Sequence, residues 1–417
     1  MSFGGISITA AGRRPLARWL RHGAALFAGL ALASAAPAQT LHEAHGGHMH
    51  GGGMSERVPG LGSYAAVGPD GAIWAAYLAG RQILVRRSDD AGKSWSAPTA
   101  VNPVPEQTDS GADSRPKIAV GPGGEMYVTW TLPLGKPYTG EIRFSRSTDA
   151  GKSFSAPVTV HRDRQEITHR FDSVAVNAKG QVFVAWIDKR DQAAIGKGAA
   201  EGYRGAAVYF AVSDDRGASF RGDFKVADHS CECCRIALLP QADGSVLAFW
   251  RHVFEPNIRD HALAALRPDG SVGPLRRATF DDWRSDVCPH HGPSLAADSA
   301  GRLHAVWFTL APGRAGVHYG RLRVGGVEAE RRVGGETAEH ADIAAAGQRI
   351  AVAWKEFDGS QSRLRAMLSQ DGGESWREYE LQGTDEASDQ PRVLVRQGQF
   401  LVFWNTRKQP LTVVALP

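Results

Sequence analysis

The sequence predicts an all-β fold, a β-propeller of seven blades, on three observations. After residue 60, a short apolar strand, a Gly-containing turn and a second strand ending in Trp or Tyr recur seven times. The unit repeats every 47 to 64 residues, and four short strands with their turns need about 40–50. Four of the units also carry the same hairpin signature between their third and fourth strands. In chain order the strand pairs run Tyr64 to Tyr77, Pro116 to Trp130, Asp172 to Trp186, Ile236 to Trp250, Ser294 to Trp307, Asp342 to Trp354 and Arg392 to Trp404. The longest step holds an insertion between Asp188 and Arg204. The last unit stops after a third strand, Leu411 to Leu416, so its outer strand is expected from Ser55 to Pro59, which would join the chain ends. If that short unit is instead a cap, the count is six.

The hairpin signature reads Ser-x-Asp-x-Gly-x-Ser-aromatic. It occurs at Ser88/Asp90/Gly92/Ser94/Trp95, Ser147/Asp149/Gly151/Ser153/Phe154, Ser213/Asp215/Gly217/Ser219/Phe220 and Ser369/Asp371/Gly373/Ser375/Trp376. Asp and Ser side chains satisfy turn amides, Gly takes positive φ, and the aromatic anchors the turn. On these motifs residues 60–417 resemble the Asp-box, or BNR-repeat, propellers of the sialidase-like superfamily. The resemblance implies that the boxes are structural and lie opposite the usual active face. It also implies an enzymatic alternative, a sialidase-like glycoside hydrolase with three Arg on a carboxylate, a Tyr nucleophile activated by Glu, and an Asp acid. Arg115, Arg170, Arg235, Arg251 and Arg392 are the candidates for such an anion cradle, with Asp113 or Asp172 as acid. The match is partial. Arg115-Pro116 keeps a fragment of the family's Phe-Arg-Ile-Pro, and the one Tyr with Glu and Arg beside it, Glu201-Gly-Tyr203-Arg204, lies in the insertion. Taken singly, each Arg reads as a partner of a nearby Asp, Arg115 with Asp113 and Arg259 with Asp260.

The 417 residues carry a formal charge of +4, and four Arg in the first 38 positions account for all of it. A neutral remainder argues against a nucleic-acid partner, which needs a clustered basic face. Residues 1–38 read as a signal peptide: Arg13, Arg14, Arg18 and Arg21 precede an apolar run, then the small residues Ala36 and Ala38. The expected location is the periplasm, with no membrane span in the mature chain. Residues 39–59 form a His/Met/Gly-rich tail holding His42, His45, His48, Met49, His50 and Met54. Such a segment cannot bury a core, and its imidazoles and thioethers suit Cu(II) and Cu(I).

In a propeller the loops leading into the innermost strands converge on one face around the channel. Here those loops hold all four cysteines. Cys231-Glu-Cys233-Cys234 precedes the fourth unit, and Cys288-Pro-His290-His291 precedes the fifth. Adjacent blades would bring these sulfurs and imidazoles together as a metal site, with soft sulfur favouring copper over zinc. His252 is a candidate for an outer shell. Two disulfides, one bridge with a strained pair, or a redox role also fit four Cys in an oxidising compartment. With the tail, the two Cys motifs resemble exported sialidase-like proteins associated with copper handling. The resulting expectation is metal capture and handover, with an outer-membrane importer or a metallochaperone as partner. A protein-interaction scaffold stapled by disulfides is the third reading.

Overall fold

A computed structural model describes residues 59–195, 202–286 and 289–417. Among these residues the strands form six four-stranded antiparallel sheets and one of three strands. The innermost strands are Tyr64–Val67, Lys117–Val120, His169–Val176, Ala237–Pro240, Ser294–Ala297, Ala338–Ala346 and Arg392–Arg396, here defining blades 1 to 7. Each pairs with the second strand of its own repeat, as in Ala119 opposite Tyr127 and Leu394 opposite Leu401. Innermost strands of successive blades touch, and blade 7 meets blade 1, so the sheets close a seven-bladed propeller. The last blade has three strands, ending with Thr412–Ala415. The proposed donor of its outer strand lies almost wholly outside the described residues; Gly60 donates its amide to Leu78 of blade 1.

Second strands such as Ile73–Ala79 and Val182–Asp188 are buried along their whole length. They are sandwiched by both neighbouring blades, which is why they read as unbroken apolar runs rather than alternating ones. The repeat tryptophans Trp130, Trp186, Trp250, Trp307, Trp354 and Trp404 are among the largest fully buried side chains. Each ring N–H is satisfied: Trp130 donates to Glu106, Trp186 to Asp188, Trp250 to Ser230, Trp307 to Asp281, Trp354 to Glu356 and Trp404 to the Asp389 carbonyl. A large apolar body with one bonded polar tip can thus sit at each blade junction without cost.

The four Ser/Asp hairpins share one hydrogen-bond pattern. In the second, the Ser153 amide donates to Asp149 Oδ1 at 3.0 Å, the Ser153 hydroxyl to Oδ2 at 2.5 Å, and the Gly151 amide to Ser147 Oγ at 2.9 Å. The hydroxyl and amide of Ser153 draw Asp149 down to about 2. Gly151 has φ of 77°, and a Cβ there would meet Trp74 of blade 1 at 2.7 Å. The box glycines Gly92, Gly217 and Gly373 likewise abut Val413, Phe144 and Tyr319 of the preceding blade. Each hairpin is therefore a rivet between two blades as well as a turn.

The ring closes through Asp389. Its carboxylate accepts from the Gly62 amide at 2.7 Å, the Ser63 amide at 2.9 Å, the Ser63 hydroxyl at 2.5 Å and Asn405 Nδ2 at 2.9 Å. Asn405 also donates to the Gly60 carbonyl.

Candidate functional site

The loop from blade 3 to blade 4 carries the cysteines. The long strand Arg221–Ser230 delivers them. Their position is then pinned by the Cys231 amide on the Arg251 carbonyl at 3.0 Å and the Val253 amide on the His229 carbonyl at 2.6 Å. Cys231, Cys233 and Cys234 are 1%, 5% and 2% exposed and pack with Phe171, Ile236 and Trp250. Their ligand atoms lie within 4.8 Å of one another. Cys231 Sγ is 3.7 Å from Cys234 Sγ and 4.0 Å from Cys233 Sγ. Cys233 is disulfide-bonded, whereas Cys231 and Cys234 carry thiols. Cys288, and the tail ligands His42, His45, His48, Met49, His50 and Met54, lie outside the described residues.

The thiols differ in acidity. A hydrogen bond from Cys234 and the charges of Arg251 and Arg259 outweigh burial and bring Cys231 down to about 6. Donating that bond, together with burial, pushes Cys234 well up. Arg259 Nη1 stands 3.8 Å from Cys231 Sγ. Arg251 is held by the carbonyls of Arg259, His291 and Phe308, with its guanidinium 4.9 Å over Trp283. Of the two, Cys231 is the more readily ionised, and it is faced by two cations.

Among the described residues the imidazoles do not group with Cys231, Cys233 and Cys234 as the sequence suggested. The chain passes through positive φ at His290, whose ring lies 6.4 Å from Phe171. His291 then stacks on Phe308 and on His340, each at 4.2 Å, and forms a separate group with Glu339 and His340. Aromatic stacking toward blades 5 and 6 decides the direction. Burial holds His291 near 4 and His340 well below its usual value, so both stay neutral. His252 packs against Trp250 and Phe254, and burial brings it to about 4.

The five arginines of the anion cradle are all occupied by protein partners, and three of them gather near the axis: Arg115 and Arg235 both bond Gln390, and Arg115 and Arg392 both lie over Tyr64. Arg170 pairs with Asp109. Arg392 donates to Asp342 at 2.8 Å. Arg251 bonds the carbonyls named above. The pairings expected from sequence adjacency are not those formed. Asp113 takes Arg235 Nη1 at 3.1 Å and the Gly292 amide at 2.8 Å, while Arg115 donates to the Gln390 carbonyl at 2.8 Å. Burial works to raise Asp113, but Arg235 and the amides of Arg235 and Gly292 outweigh it and hold the carboxyl low. Asp260 pairs with Arg277, and Arg259 reaches the Ser285 carbonyl and Cys231 instead. Tyr203 is no activated nucleophile: burial and its hydrogen bond to Asp228 raise it far above the usual phenol value.

A cavity of about 110 Å³ on the propeller axis is lined from all seven blades, with Tyr64, Lys117, Arg235 and Arg392 on its wall. It is smaller than the 300–1,000 Å³ of ordinary small-molecule sites. Lys117 donates to the carbonyls of Asp113 and Arg115, and burial lowers its pKa against the opposing pull of Asp172. Sequence reasoning placed His340 on the channel face but missed Lys117, the partnership of His340 with Glu339 and the role of Arg259. The adjacency of Glu339 and His340 just before the sixth repeat was the one available signal for that pair.

No protein-family model and no curated protein matches the chain. Solved structures do. The polysaccharide lyase Uly1 is 10% identical over 83% of this chain and 88% of its own, with a TM-score of 0.50. A protein of unknown function from Dyadobacter fermentans is 14% identical over 75% and 94%, at 0.49. The α-L-arabinofuranosidase Arb93A from Fusarium graminearum is 11% identical over 72% and 91%, also at 0.49. At such identities the likeness to Uly1 concerns the fold alone. No helix among the described residues is long and apolar enough to cross a membrane.

Proposed function

We propose that this is an exported, periplasmic metal-binding propeller whose buried Cys231–Cys234 pair holds copper as Cu(I), with zinc the runner-up. The observation that carries the reading is two thiol sulfurs 3.7 Å apart in a preformed, dry loop. Zinc–sulfur bonds of about 2.3 Å meeting near the tetrahedral angle place two sulfurs about 3.8 Å apart, so a tetrahedral ion needs little movement, while two-coordinate Cu(I) requires the sulfurs to spread toward a linear arrangement. The charge balance favours the monovalent ion. Two thiolates on Cu(I) leave a net negative charge, which Arg251 and Arg259 offset; two thiolates on Zn(II) leave none for them to offset. Cys233, being disulfide-bonded, is a neighbour of the site rather than a ligand.

The tail residues His42, His45, His48, Met49, His50 and Met54 gather ions on a flexible chain and pass them to the thiol pair. An outer-membrane importer or metallochaperone then receives them. The test is elemental mass spectrometry of periplasmically expressed protein, with Cys231→Ser, Cys234→Ser and a deletion of residues 39–54. Copper near one equivalent that survives tail deletion and disappears in both Cys variants supports the reading. Copper lost with the tail, or retained without the thiols, overturns it.

A second reading has one observation in its favour, the basic wall of the axial cavity formed by Lys117, Arg235 and Arg392. It is an anion site, and its volume suits a small carboxylate rather than a sugar chain. Hydrolysis of a fluorogenic sialoside would promote the glycosidase alternative above the metal site.

A further inference from the structure

The imidazoles that turn away from the sulfurs make a group of their own. His291, in the loop entering blade 5, and Glu339 and His340, on the innermost strand of blade 6, each bring one ligand atom within 4.8 Å of the others. Successive residues of a regular strand point to opposite faces, so Glu339 and His340 would not ordinarily meet at one point. A bulge between Glu339 and Asp342 breaks the register, and His340 takes a φ of 53°, uncommon for a residue other than Gly. His340 Nε2 thereby comes to 3.7 Å from Glu339 Oε2. His291 Nδ1 is buried and has no hydrogen-bond partner among the described residues, a state that native interiors seldom leave unanswered. We propose that His291, Glu339 and His340 form a second metal site, for a divalent ion of the zinc class, separate from the thiol pair.

Two imidazoles and one carboxylate are harder donors than thiolates, and three such ligands suit Zn(II) with one position left to water. The Glu339 side chain is 36% exposed, so an ion can enter from solvent. Lys355 Nζ holds Glu339 Oε1 at 3.0 Å and leaves Oε2 to the ion, while its charge limits the affinity. Gln390 Nε2 lies 2.9 Å from His340 Nδ1, which makes Nε2 the ligand atom of that ring. Ligation through Nε2 puts the ring proton on Nδ1, and the Gln390 amide then turns its oxygen to accept it, as partners of metal-bound histidines commonly do. The rings of His291 and His340 are 4.2 Å apart and 23° from parallel. Their lone pairs lie in the ring planes, so one ring must turn before both can share an ion. A void of about 10 Å³, lined by the two rings with Val306, Phe308 and Val317, gives room for that turn.

The experiment uses the full mature chain with Cys231 and Cys234 changed to Ser and the tail residues His42, His45, His48 and His50 changed to Gln. Co(II) is titrated in and followed by its visible absorption, then displaced with Zn(II). One equivalent should bind without the near-ultraviolet band of a sulfur-bound cobalt, and Zn(II) should displace it. His291→Gln, His340→Gln and Glu339→Gln should each weaken binding about tenfold or more. Glu339 is partly exposed, so its variant keeps the test sound if a buried histidine variant fails to fold. No stoichiometric binding, or binding that Glu339→Gln leaves unchanged, overturns the proposal. Because the two thiols are absent throughout, its failure leaves the copper reading standing, and failure of that reading leaves this site standing.

Discussion

The acidity of Cys231 is raised by Cys234, by the Arg251 and Arg259 charges and by the Cys233 amide, against the pull of burial. Replacing Arg259 by Gln removes the guanidinium nearest the sulfur, so the thiolate titration followed at 240 nm, centred on about 6, should move upward. An unchanged midpoint would show that Arg259 does not contribute to it. The sulfur cluster was legible in the sequence because Cys231, Cys233 and Cys234 lie within four positions. Which of them are thiols was not, since spacing alone offers several pairings. Arg259 was assigned to Asp260 on adjacency, yet neighbours on extended chain project to opposite sides. Arg259 therefore faces Cys231 while Asp260 faces Arg277.

Hairpins and strands show a different balance between the legible and the hidden. The Ser/Asp/Gly hairpins were read residue by residue from the sequence, and their internal hydrogen bonds follow that reading. Their contact with the preceding blade was not readable, because Trp74 and Gly151 belong to different repeats. That contact yields a paired prediction. Gly151→Ala combines a left-handed backbone with a clash on Trp74 and should cost about 2–3 kcal/mol in urea unfolding. Gly124 has φ of 82° and nothing within 4 Å of a Cβ, so Gly124→Ala should cost only about 1 kcal/mol. Equal losses would mean that backbone strain alone matters and that the hairpins do not rivet blades together.

For the molecule entire, acid is the predicted weakness. Burial, the largest cause in each case, brings His161, His169, His252 and His291 to about 4, whereas unfolded histidine titrates near 6.5. Between those values the unfolded chain binds more protons than the folded one, so the histidine contribution to stability falls as pH drops from about 6.5 towards 4 and is then fully lost, while hairpin aspartates held at about 2 extend the decline to lower pH. Each buried histidine contributes up to about 1.4 kcal/mol per pH unit. Urea midpoints at pH 7, 5.5 and 4.5 should decline in that order, and a flat profile would refute the neutral, buried state. The Asp389 clasp is the second global determinant. Asp389→Ala strands the buried amides of Gly62 and Ser63 and should cost about 3 kcal/mol or more in the same assay. The repeat count was legible from the period. The clasp was not, because its two sides lie more than 300 residues apart.

Six junctions of the ring are crossed by the chain itself, and the seventh is held by the Asp389 clasp and by Val413 against Gly92. In polymer terms, fastening that seam closes a loop of roughly 350 residues, whose configurational cost is about 5 kcal/mol. A peptide linker across it would pay that cost in the unfolded chain as well. A circular permutant reopened in a turn on the box face should therefore keep all seven seams and resist unravelling from its ends.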